Sequence, residues 1–186
     1  EYAAKLNLQD KLMNIIQLYG YENIQTPTFE FFDVFSEEIG TTSSRELYKF
    51  FDKEGNTLVL RPDFTPSMAR CAAKYFMEEN VPIRFCYAGN TFINNSNLQG
   101  KLKELTQMGA ELIGDSSVYA DAEMIMMLID TLKASGLTKF QVSIGEVEYF
   151  KGICQNAGLD SDTEMEIRDF ISEKNFFAAE EKKKKK

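Results

Sequence analysis

Apolar and polar positions follow two periods along the chain. Over residues 3–19, Leu8, Leu12, Ile15, Ile16 and Tyr19 recur at helical spacing. Gly20 follows, where a left-handed C-terminal cap belongs. Residues 22–27 read as a short strand closed by Pro27, a residue tolerated only where a ladder N–H is not needed. Leu47–Phe51 and Thr57–Arg61 are β-rich runs joined by Asp52–Asn56 with its glycine, the pattern of a hairpin. Thr65 then stands as a helix N-cap with Pro66 in the first turn, and Met68, Cys71, Ala72 and Tyr75 mark one face of a helix reaching about Glu79. Pro82–Ala88 is a buried-looking strand, and the polar stretch Asn90–Lys101 leads to a second strand over 103–114. The two read as an antiparallel pair joined by a long loop. Asp115 to Ser117 open a helix through Ala134 that Gly136 ends. Lys139–Gly145 alternates as a further strand, and 146–157 and 162–174 read as helices around Gly158. No internal repeat is present before the lysine tail.

The strand over 103–114 carries the most chemistry. Successive strand side chains point to opposite faces, so Thr106, Met108, Ala110 and Leu112 share one face. Leu105, Gln107, Gly109, Glu111 and Ile113 share the other. Gln107 and Glu111 are about 13 Å apart along the backbone at strand rise. A glycine between them leaves room for a small polar molecule gripped at both ends. A solvated polar face with Gly109 at a bulge fits the same pattern.

Composition narrows the classes. With 186 residues, 44% hydrophobic, 12% aromatic, 15 Phe and 8 Tyr, the chain is long and apolar enough for a packed core. The 21 basic and 29 acidic residues give a net charge of −8, which argues against nucleic acid as the main partner. There is no histidine, so His-based nucleophilic triads and His metal ligands within this chain are excluded. Cys71, Cys86 and Cys154 are scattered, with no CxxC pair, and read as reduced, buried thiols of a cytoplasmic protein. No apolar run has the length of a membrane span. No metal or cofactor is expected. Lys182–Lys186 reads as a solvated tail, native or appended, after a domain over 1–181.

Two other stretches carry alternatives. Phe29, Phe31, Phe32 and Phe35 crowd one segment, as core or as a subunit interface enriched in aromatics. Asp63 and Thr65 stand where a strand hands over to a helix N-terminus, a place that either binds ligands or merely holds the turn. Gly40–Arg45 lacks the spacing of a phosphate-binding loop and reads as a connection.

Three motifs in order, Leu60-Arg-Pro-Asp-Phe-Thr65, Arg84-Phe-Cys-Tyr-Ala-Gly89 with Phe92, and Thr106-Gln-Met-Gly-Ala-Glu-Leu-Ile-Gly114, resemble the class II aminoacyl-tRNA synthetase core, in its histidyl branch. The resemblance runs from about residue 8 to residue 181. It implies an α+β fold, an antiparallel sheet flanked by helices, truncated, without the third class II motif and the later pocket-lining arginine. Within that branch, Arg-Pro-Asp-Phe-Thr-Pro-Ser, Cys-Tyr-Ala-Gly and Ser172-Glu-Lys-Asn175 resemble the regulatory subunits of ATP phosphoribosyltransferase. Such subunits assemble with a short catalytic subunit for the first step of histidine biosynthesis and its feedback control by histidine.

The resemblance implies that Asp63, Thr65 and Gln107 surround the α-amino end of a bound histidine and that Glu111 faces its imidazole. Asp63 is one methylene shorter than the glutamate usual in synthetases. Residues 22–35 correspond to the family's dimer interface. Where a synthetase places an arginine and then a glutamate to handle ATP, this chain has Ile93 and Asn95, and Lys101 replaces a further arginine. Isoleucine offers no donor and no charge, and lysine lacks the bidentate fork. The expectation is a non-catalytic regulatory subunit, cytoplasmic and dimeric within a hetero-oligomer. The alternatives are a divergent histidyl-tRNA synthetase fragment and a paralogue keeping the amino-acid pocket for another purpose.

Overall fold

The computed structural model describes residues 1–35, 42, 44–94, 100, 102–172, 174–177 and 180. They gather into two compact units, Glu1–Thr138 and Lys139–Lys186.

The first unit opens with helix α1 (Tyr2–Leu18), closed by Gly20 at φ +83°, a conformation in which a Cβ is strained. Strands β1 (Glu22–Asn23), β5 (Ile83–Phe92) and β6 (Glu104–Ile113) form one sheet in the order β1-β5-β6. Strands β2 (Phe29–Phe31), β3 (Lys49–Phe51) and β4 (Thr57–Leu60) form a second, in the order β2-β4-β3. The β3–β4 hairpin turns at Gly55, φ +86°, with the Asp52 carboxylate accepting from the Glu54 and Asn56 N–H groups. Helix α2 (Thr65–Tyr75) covers one face of the first sheet, and α1 with α3 (Val118–Ala134) cover the other. The fold is thus α+β, with an antiparallel β5–β6 pair flanked by helices and β1 added in parallel.

The β5–β6 ladder pairs Phe85 with Glu111, Tyr87 with Gly109 and Gly89 with Gln107. Alternation puts these residues on the α2 face, where Phe64, Met68, Ala72, Phe85 and Tyr87 form a buried cluster. Ile16, Tyr21, Cys86 and Met127 form the cluster on the opposite face. Met124 packs against it, whereas Met126 is exposed. The second unit holds α4 (Val147–Asn156) and α5 (Ser161–Ser172) on either side of Gly158 at φ +68°, with Cys154 and Ile167 buried. Cys86 is also buried, and Cys71 is half-buried.

Several expectations change. The strand expected over 22–27 is strand only at Glu22 and Asn23, with the Ile24 N–H still donating to the Cys86 carbonyl at 2.9 Å; beyond it the Thr26 and Pro27 carbonyls turn to the Arg61 guanidinium instead of a ladder. Helix α2 stops at Tyr75 rather than near Glu79. Tyr75 is exposed, and it is Phe76 that packs with Met68 and Ala72. Strand β5 runs to Phe92, so part of the expected loop is ladder. Residues 139–145 form no strand: their alternation is real, but no neighbouring strand among the described residues offers them a ladder. The lysine tail lies outside the described residues, as do Gly40, Thr41 and Ser43 of the Gly40–Arg45 connection.

Candidate functional site

The α2 face of β6 brings Gln107 and Glu111 together on one side of the sheet, with Gly109 between them. The space above Gly109 is taken. Tyr87, directly across the ladder, lays its ring over the glycine, where a Cβ would stand 2.4 Å from the phenol oxygen. Its hydroxyl donates to Glu111 Oε1 at 3.4 Å and accepts from Gln107 Nε2 at 3.5 Å. Burial raises the Tyr87 pKa first. The charges of Glu111 and Asp63 raise it further, so the phenol keeps its proton.

Tyr87 is held from behind by a stack. Its ring lies 4.2 Å from that of Phe64 at 14°, and the Arg61 guanidinium carbon sits 4.1 Å from the Phe64 ring centre. Arg61 is buried. It donates from Nε to the Asn90 carbonyl at 2.8 Å, and from Nη1 to the carbonyls of Thr26 at 2.9 Å and Pro27 at 3.2 Å. Gly89 makes room for this stack, since a Cβ there would come within 2.7 Å of the guanidinium and 2.9 Å of Phe64. Burial pushes the Arg61 pKa down and the Glu30 charge pushes it back up.

Thr65 does not cap α2. The cap position is Phe64, and the Thr65 hydroxyl instead donates to Glu111 Oε1 at 2.7 Å. Asp63 does the work expected of a cap: its Oδ1 accepts from the N–H groups of Phe64 at 2.6 Å and Thr65 at 3.3 Å. Thr65, Gln107 and Glu111 therefore meet around the Tyr87 hydroxyl, and Asp63 adds its charge while bonded to its own turn. Tyr87, Phe64 and Arg61 were not singled out from the sequence. Tyr87 reaches the site because the ladder register sets it opposite Gly109, which no local pattern in the sequence indicates.

The open space lies beyond Glu111. A cavity of about 470 Å³ runs past Thr65 and Glu111 between Met68, Phe76, Ile83 and Ile113. Most of its lining is apolar, with Thr65, Glu111, Glu79 and Asn80 as its polar side chains. Ile93 continues the ladder one residue past β5, its N–H donating to the Lys103 carbonyl at 3.0 Å, and its side chain is half-buried. Alternation from Tyr87 and Gly89 puts it on the cleft side. Asn95 and Lys101 lie outside the described residues. Among the described residues there is no group of acidic or cysteine side chains able to hold a metal ion.

The family model for histidyl-tRNA synthetase matches residues 1–185. The ATP phosphoribosyltransferase regulatory subunit of Acetivibrio thermocellus is 43% identical over 181 residues, covering 97% of this chain and 43% of that protein. A crystal structure described as an ATP phosphoribosyltransferase regulatory subunit/histidyl-tRNA synthetase from Bacillus halodurans superposes with a TM-score of 0.88 at 36% identity, over 97% of this chain and 46% of that one. A histidine–tRNA ligase subunit from Alicyclobacillus acidocaldarius superposes with a TM-score of 0.81 at 25% identity, over 95% and 50%. The chain spans less than half the length of the curated relative.

Proposed function

The chain belongs to the histidyl-tRNA synthetase family, and from that premise we propose that it is the synthetase-like part of an ATP phosphoribosyltransferase regulatory subunit. In this reading it performs no chemistry itself. It binds histidine in the cradle of Thr65, Gln107 and Glu111, with Asp63 bracing the amine end through its charge. It docks a short catalytic subunit that carries out the first step of histidine biosynthesis, and it contributes to feedback by histidine in the cytoplasm. Two copies pair through the aromatic face of the second sheet, where Phe29 is 51% and Phe31 55% exposed on either side of the buried Glu30.

One observation carries the proposal. Glu111 and Gln107, the acceptors that the resemblance puts around an amino acid, share one face of β6 beside the Thr65 hydroxyl, while position 93, where the resemblance puts a synthetase's ATP-binding arginine, holds an isoleucine without donor or charge. Such a site binds an amino acid and cannot stabilise its activation. The chain is also similar to proteins named as regulatory subunits.

The experiment uses the full-length protein. Mixed with a short catalytic subunit, it is expected to restore phosphoribosyl transfer to ATP and to make that activity sensitive to histidine. Histidine-dependent exchange of pyrophosphate into ATP by the protein alone would support the synthetase reading instead and defeat this one.

A further inference from the structure

We propose that Glu30 links the aromatic face of β2 to the amino-acid cradle. Covering Phe29 and Phe31 with a second copy tightens the cradle on its ligand, and the ligand in turn tightens the pairing. The inference rests on the readings that the cradle takes histidine and that two copies pair on β2.

Strand β2 is short and lies at an edge: its three residues pair only with β4 among the described residues. Alternation sends Phe29 and Phe31 to one face, both more than half exposed, and Glu30 to the other, where it is buried. There Glu30 Oε1 accepts from Arg70 Nη2 of α2 at 2.7 Å. Arg70 Nε is buried without a hydrogen-bond partner among the described residues, so the hold on this guanidinium passes through Glu30. A cavity of about 540 Å³ beside β2 is lined by Phe29, Phe31 and Leu58, and also by Glu30 and Arg70. Whatever fills it touches the phenyl rings and the ion pair together.

Two paths lead from Glu30 to the cradle. The first is α2 itself. Arg70 lies in the helix whose first residue, Thr65, donates to Glu111 Oε1 at 2.7 Å. A helix of about three turns moves as one body, so the placement that Glu30 sets at Arg70 is carried to Thr65. The second path is Arg61. Its backbone N–H donates to the Thr28 carbonyl at 3.0 Å and its Nη1 to the carbonyls of Thr26 and Pro27, the segment that enters β2. The Glu30 charge acts on this guanidinium, which stacks on Phe64, the residue before Thr65. A buried carboxylate is costly to leave without its cation, so Glu30 and the arginines it serves hold position together.

Uncovered, β2 has β4 as its neighbour and two phenyl rings in water. A second copy that buries the rings fixes β2, then Glu30, then α2 with the Thr65 hydroxyl against Glu111. A ligand in the cradle orders the same chain of contacts from its other end, and a linkage of this kind is reciprocal.

The test uses the full-length protein. Analytical ultracentrifugation locates the midpoint of self-association, and histidine affinity is measured by calorimetry or fluorescence well below and well above it. Affinity is expected to be at least about fivefold tighter in the paired protein, and saturating histidine to move the midpoint to lower protein concentration. Equal affinity on both sides overturns the inference. Glu30→Gln keeps the shape of the side chain and removes its charge, and the difference is expected to shrink to within about twofold. Arg70→Gln changes the more exposed partner and is expected to do the same. A difference that persists in either variant overturns the inference. Without any ligand, exchange of the Met68 N–H, bonded to the Phe64 carbonyl in the first turn of α2, is expected to be about fivefold faster in Arg70→Gln, with the amides of α3 unchanged. Identical exchange in both proteins overturns the inference on its own. Wild type that binds no histidine, or stays monomeric at every concentration, would defeat the readings beneath it, and the amide measurement then decides the link between Glu30 and α2 alone.

Discussion

The Thr65 hydroxyl donates to Glu111 Oε1 at 2.7 Å, tying the first turn of α2 to the C-terminal part of β6. This contact explains why a residue with the character of an N-cap is not one. Asp63 already satisfies the first N–H groups of the helix, which releases Thr65 to orient a carboxylate 46 residues away. Helix capping and site construction are thus divided between two neighbouring residues of one turn.

Thr65→Val removes that donor while keeping the shape of the side chain. Stability is expected to fall by only about 0.5–1.5 kcal/mol, because Glu111 is half-exposed and water can replace the lost partner. Histidine affinity is expected to fall about tenfold as the carboxylate loses its fixed orientation. Urea denaturation and calorimetry separate the two effects. A large stability loss with unchanged affinity would mean that the contact holds the fold and not the site.

Gly109→Ala is expected to destabilise the chain by about 1–3 kcal/mol, the usual scale of overpacking, since its Cβ would meet the phenol oxygen at 2.4 Å. The penalty is expected to vanish on a Tyr87→Ala background. A double-mutant cycle by chemical denaturation reads this directly. Additive costs would mean that the glycine is needed for its backbone and not for the ring above it.

Arg61→Leu is expected to cost about 2–4 kcal/mol. Three carbonyls, of Thr26, Pro27 and Asn90, lose a charged donor, and Phe64 loses the cation stacked on it. Arg61→Lys is expected to recover only part of this, because one ammonium cannot reproduce the fork. Equal stability of the lysine variant and wild type, measured by thermal unfolding, would rule out a role for the guanidinium geometry.

Tyr21 gives an alkaline signature. Burial first, then its hydrogen bond to Glu123 and the charge of that carboxylate, push its pKa up to about 12, from an ordinary value of 10.0. A folded-state pKa above the unfolded one means that the folded state holds the proton more tightly. The associated stability is complete below pH 10 and is lost as pH rises toward 12. Tyr87 shifts in the same direction. Tyr21→Phe is expected to show a shallower loss of stability than wild type across that window. Superimposable pH profiles in denaturant would contradict the assignment.

Phe29→Glu with Phe31→Glu places two carboxylates on the exposed aromatic face of β2. The full-length protein is expected to sediment as a dimer and this variant as a monomer, with unfolding little changed because both side chains are more than half exposed. A variant that remains dimeric would place the subunit interface elsewhere.

Much of this was legible in one dimension. The helices α1 and α3, the β3–β4 hairpin with its glycine turn and the β5–β6 pair all follow from local period and punctuation. So does the shared face of Gln107, Gly109 and Glu111, because the period of a strand is two. What sits above that glycine was not legible. Gly109 suggested vacancy, yet its missing side chain accommodates Tyr87, a residue 22 positions earlier that only the ladder register brings opposite. The alternation of 139–145 was equally clear and yet yields no strand, since a strand exists only with a neighbour to bond.

By itself the sequence determined which residues could face one another: the periodicities, the turns and the chemical types present, all properties of adjacent residues. Tertiary structure decided which of them do. Register placed a phenol between Gln107 and Glu111, and packing put Arg61 and Phe64 behind it. Competition for backbone N–H groups assigned Asp63 to the helix and Thr65 to the site. The pairings of Tyr87 with Gly109, Phe64 with Tyr87 and Thr65 with Glu111 join residues 20 or more positions apart, where the energy of burial and of satisfied hydrogen bonds, rather than local preference, selects the partner.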